Sequence, residues 1–252
     1  MPTALLRPVS PRMAECELTH FERQPIDVAL AEKQHQAYAD ALRYLGCEIV
    51  HAPALPDFPD SVFVEDCAVV LDEMAIITLP GADSRKGEID SVATVLEKYR
   101  PLHRIEAPGV LDGGDVLRLG KKIFVGLSSR SNAEAVRQMQ NVLKPFDYEV
   151  IGVHLTGCLH LKSAVTQVSI DTLLLNSEWV DANLFSNYKI IETHSDEPGA
   201  ANALLLGDTV IFPLDFPQTA LRLLEAGMDI YLVDNSEVIK AEGGVTCCSV
   251  VF

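Results

Sequence analysis

The chain has 252 residues, 48% of them hydrophobic, and carries a formal net charge of −16 at pH 7. That length suffices for one large or two small domains with a substantial buried core. The excess of carboxylates would repel a nucleic-acid backbone or an anionic membrane surface, and it suits a small cationic partner. No apolar run approaches the roughly 18 residues of a membrane span. Met1–Pro8 lacks the cationic-then-apolar order of a secretory signal. Cys16, Cys47, Cys67, Cys158, Cys247 and Cys248 show no disulfide-framework spacing, so free thiols and a cytoplasmic location are expected.

In chain order, Leu5–Pro8 reads as a strand. A long loop through Thr19, His20 and Phe21 follows, then a helix over about 27–45 with Gly46 behind it as a left-handed stop. Val62–Asp66 reads as extended. Residues 72–79 read as a strand and 84–99 as a helix with Ile89, Val92, Leu96 and Tyr99 on one face. His103–Glu106 resumes an extended course. The order recurs: extended Leu111–Val116, strand Lys122–Gly126, a helix over 133–143 (Val136, Met139, Val142, Leu143 inward) and strand 149–153. After extended Leu159–Lys162 comes a less regular unit over 171–194, broken around Trp179 and Phe185. Extended Ala201–Leu204 leads to strand 208–212, a helix over 219–226 stopped by Gly227, and strand 229–233. Val245–Cys248 reads as a last extended segment.

Asp66, Asp112, His160, Asn202 and Cys247 therefore recur in the connecting segments at intervals of roughly 45 residues, a period typical of repeated supersecondary units. Five such units could close on themselves, each presenting one polar residue to an axis. A doubly wound α/β sheet built on the same strand–helix–strand grammar is the alternative. A nucleophilic thiol needs an acid or base, an orienting carboxylate and a polar recognition group, and this series contains them. No Walker loop, dinucleotide GxGxxG or metal-ligand spacing is present, so no cofactor and no metal are expected.

Four segments carry a resemblance: Asp60-Ser61-Val62-Phe63-Val64-Glu65-Asp66, Leu111-Asp112-Gly113-Gly114-Asp115-Val116-Leu117, Leu159-His160-Leu161-Lys162-Ser163 and Gly243-Gly244-Val245-Thr246-Cys247-Cys248-Ser249. Together and in this order they resemble the signature segments of dimethylarginine dimethylaminohydrolases, members of the guanidine-modifying or pentein superfamily. The resemblance runs from the first strand to the last residue. It implies a single catalytic domain over residues 1–252, built as a five-bladed α/β propeller of pseudo-five-fold repeats around a central active-site channel. It also implies hydrolysis of Nω-methylated L-arginine to L-citrulline and an alkylamine. Arginine deiminase or a related guanidine hydrolase is the nearest alternative. A non-catalytic pentein used as a binding module is the third, which the retained Cys247, His160 and Asp112 oppose.

Cys247 is the candidate nucleophile. On a strand it would share a face with Ser249, while Cys248, Val250 and Phe252 turn into the core. His160 is the candidate proton carrier, and Asp112 the acid that orients it. A planar guanidinium calls for carboxylates in its plane, and Asp60, Glu65 and Asp66 are the candidates. Adjacent Glu65 and Asp66 should point in opposite directions. The resemblance further implies that Arg85 and Arg130 bind the substrate carboxylate, that the Ala241 carbonyl takes its ammonium, and that Leu18 lies on a lid. The expected partner is thus a small cationic amino acid; monomer and homodimer both remain open.

Overall fold

The strand–helix–strand stretches fold into five separate three-stranded sheets. The computed structural model describes residues 1–252. In chain order the elements are β1 (Thr3–Leu6), α1 (Val28–Tyr44), β2 (Glu48–His51), β3 (Ala68–Val70), β4 (Ala75–Ile77), α2 (Ile89–Leu96) and β5 (Leu102–Arg104). Then come β6 (Val116–Leu119), β7 (Lys122–Leu127), α3 (Ala133–Leu143), β8 (Glu149–His154), the single turn α4 (Leu161–Ala164), β9 (Val165–Ser169), β10 (Thr172–Leu175) and β11 (Lys189–Glu192). The last are β12 (Leu204–Leu206), β13 (Thr209–Pro213), α5 (Pro217–Glu225), β14 (Asp229–Val233), α6 (Ser236–Ile239) and β15 (Val250–Val251).

Each sheet has one grammar. Its middle strand pairs antiparallel with an inner strand and parallel with an outer one, as β7 does with β6 and β8. A parallel pair needs a crossover, and α1, α2, α3 and α5 supply it. Between β10 and β11 the crossover is only a 3₁₀ turn at Ala182–Phe185, which is the irregular stretch foreseen around Phe185. The inner strands β3, β6, β9, β12 and β15 together line one channel of about 1040 Å³. That common lining makes the architecture a closed five-bladed α/β propeller. A doubly wound sheet would have joined these strands edge to edge. The ring closes between the chain ends, where Thr3 and Phe252 exchange backbone hydrogen bonds at 2.7 and 2.9 Å.

The helices form where the pattern asks for them. Asp27 accepts the Leu30 N–H ahead of α1, and Asn132 accepts the Ala135 N–H ahead of α3; such caps contribute about 1 kcal/mol each. α3 buries Ala135, Met139 and Leu143, and each of the larger two gains roughly 1.5–3 kcal/mol from leaving water. The helix expected over 84–99 begins instead as a 3₁₀ stretch, Asp83–Glu88. Tyr99 falls beyond its end, where its ring meets Phe252 edge-on at 5.2 Å. No helix is long and apolar enough to cross a membrane.

One set of expectations is corrected. Four of the five connecting segments expected to be extended contain tight turns, Val64–Cys67, Gly113–Asp115, Leu161–Ala164 and a hydrogen-bonded pair at 244–249, whereas Ala201–Leu204 is extended at Asn202 and enters a strand at Leu204, just behind the Pro198–Ala201 turn. Each turn leads into an inner strand. The last strand, Val250–Val251, begins only after the segment Val245–Cys248, so strand alternation does not govern Cys247 and Cys248. A short apolar–polar alternation has the same appearance in a strand and in a tight turn. The turn wins here because five strand starts converge on a narrow axis.

Candidate active site

A second cavity, of about 360 Å³, is walled by other residues of the same turns, with Asp66 beside the channel's Glu65 and Cys247 beside its Thr246. Its wall includes Asp60, Asp66, Arg85, Arg130, His160, Ala241 and Cys247. The turn after β2 supplies Asp66, the turn before β9 supplies His160, and the turn before β15 supplies Cys247. Residues 87 or more positions apart in the chain thus face one small volume.

Asp112 stands directly behind the imidazole and is fully buried. Its Oδ2 is 3.2 Å from His160 Nε2, and its Oδ1 accepts the Gly81 N–H at 3.0 Å. On the other side of the ring, Asp66 Oδ1 is 3.9 Å from His160 Nδ1. Burial opposes a charge on His160, but Asp66, Asp112 and Asp115 together outweigh it and raise the imidazole to about 9. The ring is therefore an imidazolium at neutral pH. Close packing depends on the Gly113–Gly114 pair: a Cβ on Gly114 would lie 2.6 Å from His160 Nδ1, and the Gly114 N–H donates to Asp66 at 3.0 Å.

Sequence reasoning missed Asp115. It accepts the Leu161 N–H at 3.0 Å and the Ser128 hydroxyl at 2.7 Å, fixing the turn that carries His160. Burial raises its carboxyl to about 6, against the opposing pull of His160, Ser131 and Ser128. The second acid of the Asp-Gly-Gly-Asp run was the available signal.

The two arginines differ. Arg85 is buried in the cavity wall, with Nη1 2.5 Å from Asp66 and Nη2 2.8 Å from Glu88, and Nη2 also donates to the Phe63 carbonyl at 3.1 Å. Removing one member of such a buried cluster typically costs about 3–5 kcal/mol. Arg130 is held more loosely, 3.7 Å from Glu17 and 3.9 Å from Asp112, with the Thr19 hydroxyl at 3.4 Å. Asp66, Asp112 and His160 could also gather round a metal ion, since their ligand atoms lie within 4.8 Å of one another. Arg85 and the backbone N–H groups already engage both carboxylates.

Cys247 Sγ accepts the Gly244 N–H at 3.3 Å. Burial, then Glu65 and Asp66, push its thiol well above the usual range, so these surroundings favour the neutral thiol. Cys248 lies off the cavity, its thiol pushed up to about 12 by burial and Glu65. Ser249, expected to share the face of Cys247, instead meets the buried Tyr38 hydroxyl at 2.8 Å.

Two expected substrate contacts lie elsewhere. Glu65 points away from Asp66, as adjacency suggested, and out of this cavity. Its carboxylate is 2.6 Å from Lys162 Nζ and accepts the Thr246 hydroxyl at 2.7 Å, on the channel side. Leu18 packs against the core and is not part of the cavity wall. Its loop nonetheless borders the site. The Glu17 N–H donates to Asp60 at 3.2 Å, and the N–H groups of Thr19, His20 and Phe21 donate to the Glu242 carboxylate.

Comparisons with known proteins agree with this geometry. The family profile described as N,N dimethylarginine dimethylhydrolase, eukaryotic, matches residues 19–197. The N(G),N(G)-dimethylarginine dimethylaminohydrolase of Streptomyces coelicolor is 40% identical over 249 residues, covering 98% of this chain and 95% of the relative. That of Pseudomonas aeruginosa is 38% identical over 228 residues, 90% of each chain. A solved Pseudomonas aeruginosa structure, a cysteine-to-serine mutant complexed with citrulline, superposes with a TM-score of 0.95 at 35% identity, covering 99% of this chain and 98% of that one. The N-terminal domain of a cyanobacterial arginine dihydrolase shares the fold, with a TM-score of 0.89 at 19% identity. The chain belongs to the dimethylarginine dimethylaminohydrolase family.

Proposed function

We propose that this protein hydrolyses Nω-methylated L-arginine, asymmetric dimethylarginine and monomethylarginine alike, to L-citrulline and dimethylamine or methylamine. The observation that carries the reading is the meeting of Cys247, His160 and Asp66 around one acid-walled cavity. The names of the relatives and the citrulline complex of one of them support it.

The carboxylates and the neutral thiol of the cavity wall suit a cationic substrate. A guanidinium entering beside Asp66 and Asp60 brings positive charge to the neutral Cys247 thiol and lowers its pKa. The thiol proton leaves to solvent, and the thiolate adds to the central guanidinium carbon. His160, already protonated and aligned by Asp112, gives its proton to the departing amine as the C–N bond breaks. This leaves a Cys247 thiouronium, a neutral amine and a neutral imidazole. His160 then takes a proton from water, whose oxygen adds to the same carbon. The C–S bond breaks, the hydroxyl proton returns to sulfur, and citrulline departs. The amine takes up the proton first lost to solvent. At the amino-acid end, Arg130 and the remaining N–H of Arg85 suit the carboxylate, and the Ala241 carbonyl suits the ammonium. Leu18 acts through its loop at the cavity rim, and Glu65 acts through Thr246 on the nucleophile turn.

The test is incubation with asymmetric dimethylarginine, monomethylarginine and free arginine, with citrulline and amine assayed. Citrulline from the methylated substrates supports the proposal. Turnover of free arginine alone, or none by folded protein, refutes it.

A further inference from the structure

Asn202 is the one member of the five-fold polar series with no part in the chemistry above. Asp66, His160 and Cys247 line the catalytic cavity, and Asp112 touches it through His160. Asn202 follows the Pro198–Ala201 turn of the fourth unit, and its buried side chain is spent on backbone and hydroxyl groups instead. We propose that Asn202 is a positioning residue for the nucleophile, clamping the Gly244–Cys247 turn so that the Gly244 N–H meets the Cys247 sulfur.

The contacts form a closed set. Asn202 Oδ1 accepts the Thr246 N–H at 3.0 Å, while Nδ2 donates to Thr246 Oγ1 at 3.0 Å and to the Lys162 carbonyl at 3.1 Å. Thr246 is thereby gripped through both its backbone and its hydroxyl. That hydroxyl in turn donates to Glu65, which Lys162 holds from the other side. The Glu65 N–H donates to the Cys247 carbonyl at 3.2 Å. A Cβ at position 244 would lie 2.2 Å from Asn202 Oδ1, so glycine alone permits this approach. The turn that results holds the Gly244 N–H 3.3 Å from Sγ. A donor there favours the thiolate against burial and the nearby carboxylates.

This inference rests on the proposed role of Cys247, and three variants test it: Asn202→Ala, Thr246→Val and Thr246→Ser. Per folded molecule, Asn202→Ala and Thr246→Val should lower kcat by about 10–100-fold, the scale of a misplacement near 1 Å. KM should stay within about twofold, because neither residue lines the substrate cavity. Both should slow iodoacetamide labelling of Cys247 in the absence of substrate, read by peptide mass. Thr246→Ser keeps the hydroxyl and should retain kcat. Wild-type kcat in Asn202→Ala, or a loss confined to KM, would overturn the assignment. If Asn202→Ala does not fold, equal kcat in Thr246→Val and Thr246→Ser overturns it. Labelling needs no substrate, so a wild-type protein inert toward methylarginines would sink the proposed activity while leaving the positioning claim to be decided by the labelling rates.

Discussion

Asp112, at the entry to its turn, and Asn202, at the exit from its own, both stand ahead of an inner strand, yet they face different ways. Asp112 spends one carboxylate oxygen on the Gly81 N–H and turns the other to His160. Asn202 turns all of its contacts to Thr246 and Lys162. A charged residue suits the first place, because an imidazolium answers it. A neutral amide suits the second, because Glu65 already lies on the far side of Thr246 and a second carboxylate would be repelled. Five-fold repetition thus supplies five converging turns, and side-chain charge decides which of them do chemistry and which hold the rest still.

The comparison is broken most severely at the sulfur. Cys247→Ala should reduce citrulline formation below detection, whereas Cys248→Ala should keep it within a few fold and cost about 1 kcal/mol in denaturant unfolding. Next comes the aligned acid. Asp112→Asn should lower kcat by about 10²–10⁴-fold, the usual worth of general acid–base assistance, with little change in KM.

A smaller effect sharpens the same contrast through pH. In the substrate complex, where the thiol has already lost its proton, His160 acts as an acid with its own proton held to about 9, so kcat should fall as pH rises through about 9. In Asp112→Asn that alkaline limb should move to lower pH. In Asn202→Ala it should stay, since Asn202 does not touch the ring. The sign for stability is the same. The folded pKa of His160 exceeds its unfolded value of about 6.5, so its contribution is complete below that pH and is lost as pH rises through about 9. Unfolding titrations of wild type and Asp112→Asn between these limits would reveal it. The smallest effect is expected at Leu18. Leu18→Ala should raise KM a few fold with kcat nearly unchanged, because the residue reaches the site only through its loop.

Much of this was legible in the sequence. The crossover helices follow from apolar spacing, and the stops at Gly46 and Gly227 are real left-handed positions, with φ of 93° and 81°. The polar series at its steady interval announced ring closure. What was not legible came from contacts between distant segments. Local alternation cannot separate a strand from the tight turn that carries Cys247. Cys247 was correctly separated from Cys248, but by a strand argument that does not apply. The fate of Glu65 depends on Lys162 and Thr246, respectively 97 and 181 residues away. Arg85 reads as a loop arginine, yet its charge is buried between Glu88, a neighbour three residues on, and Asp66 from another turn; it is the second contact that local sequence does not foretell.

The central claim is that a thiol and an imidazolium from different blades act on one guanidinium carbon. Peptide mapping after acid quench, during turnover of asymmetric dimethylarginine, tests it most directly. The account predicts a covalent thiouronium adduct on Cys247 and none on Cys248. Citrulline formation with no adduct at Cys247, or with Cys247 replaced by Ala, would contradict it.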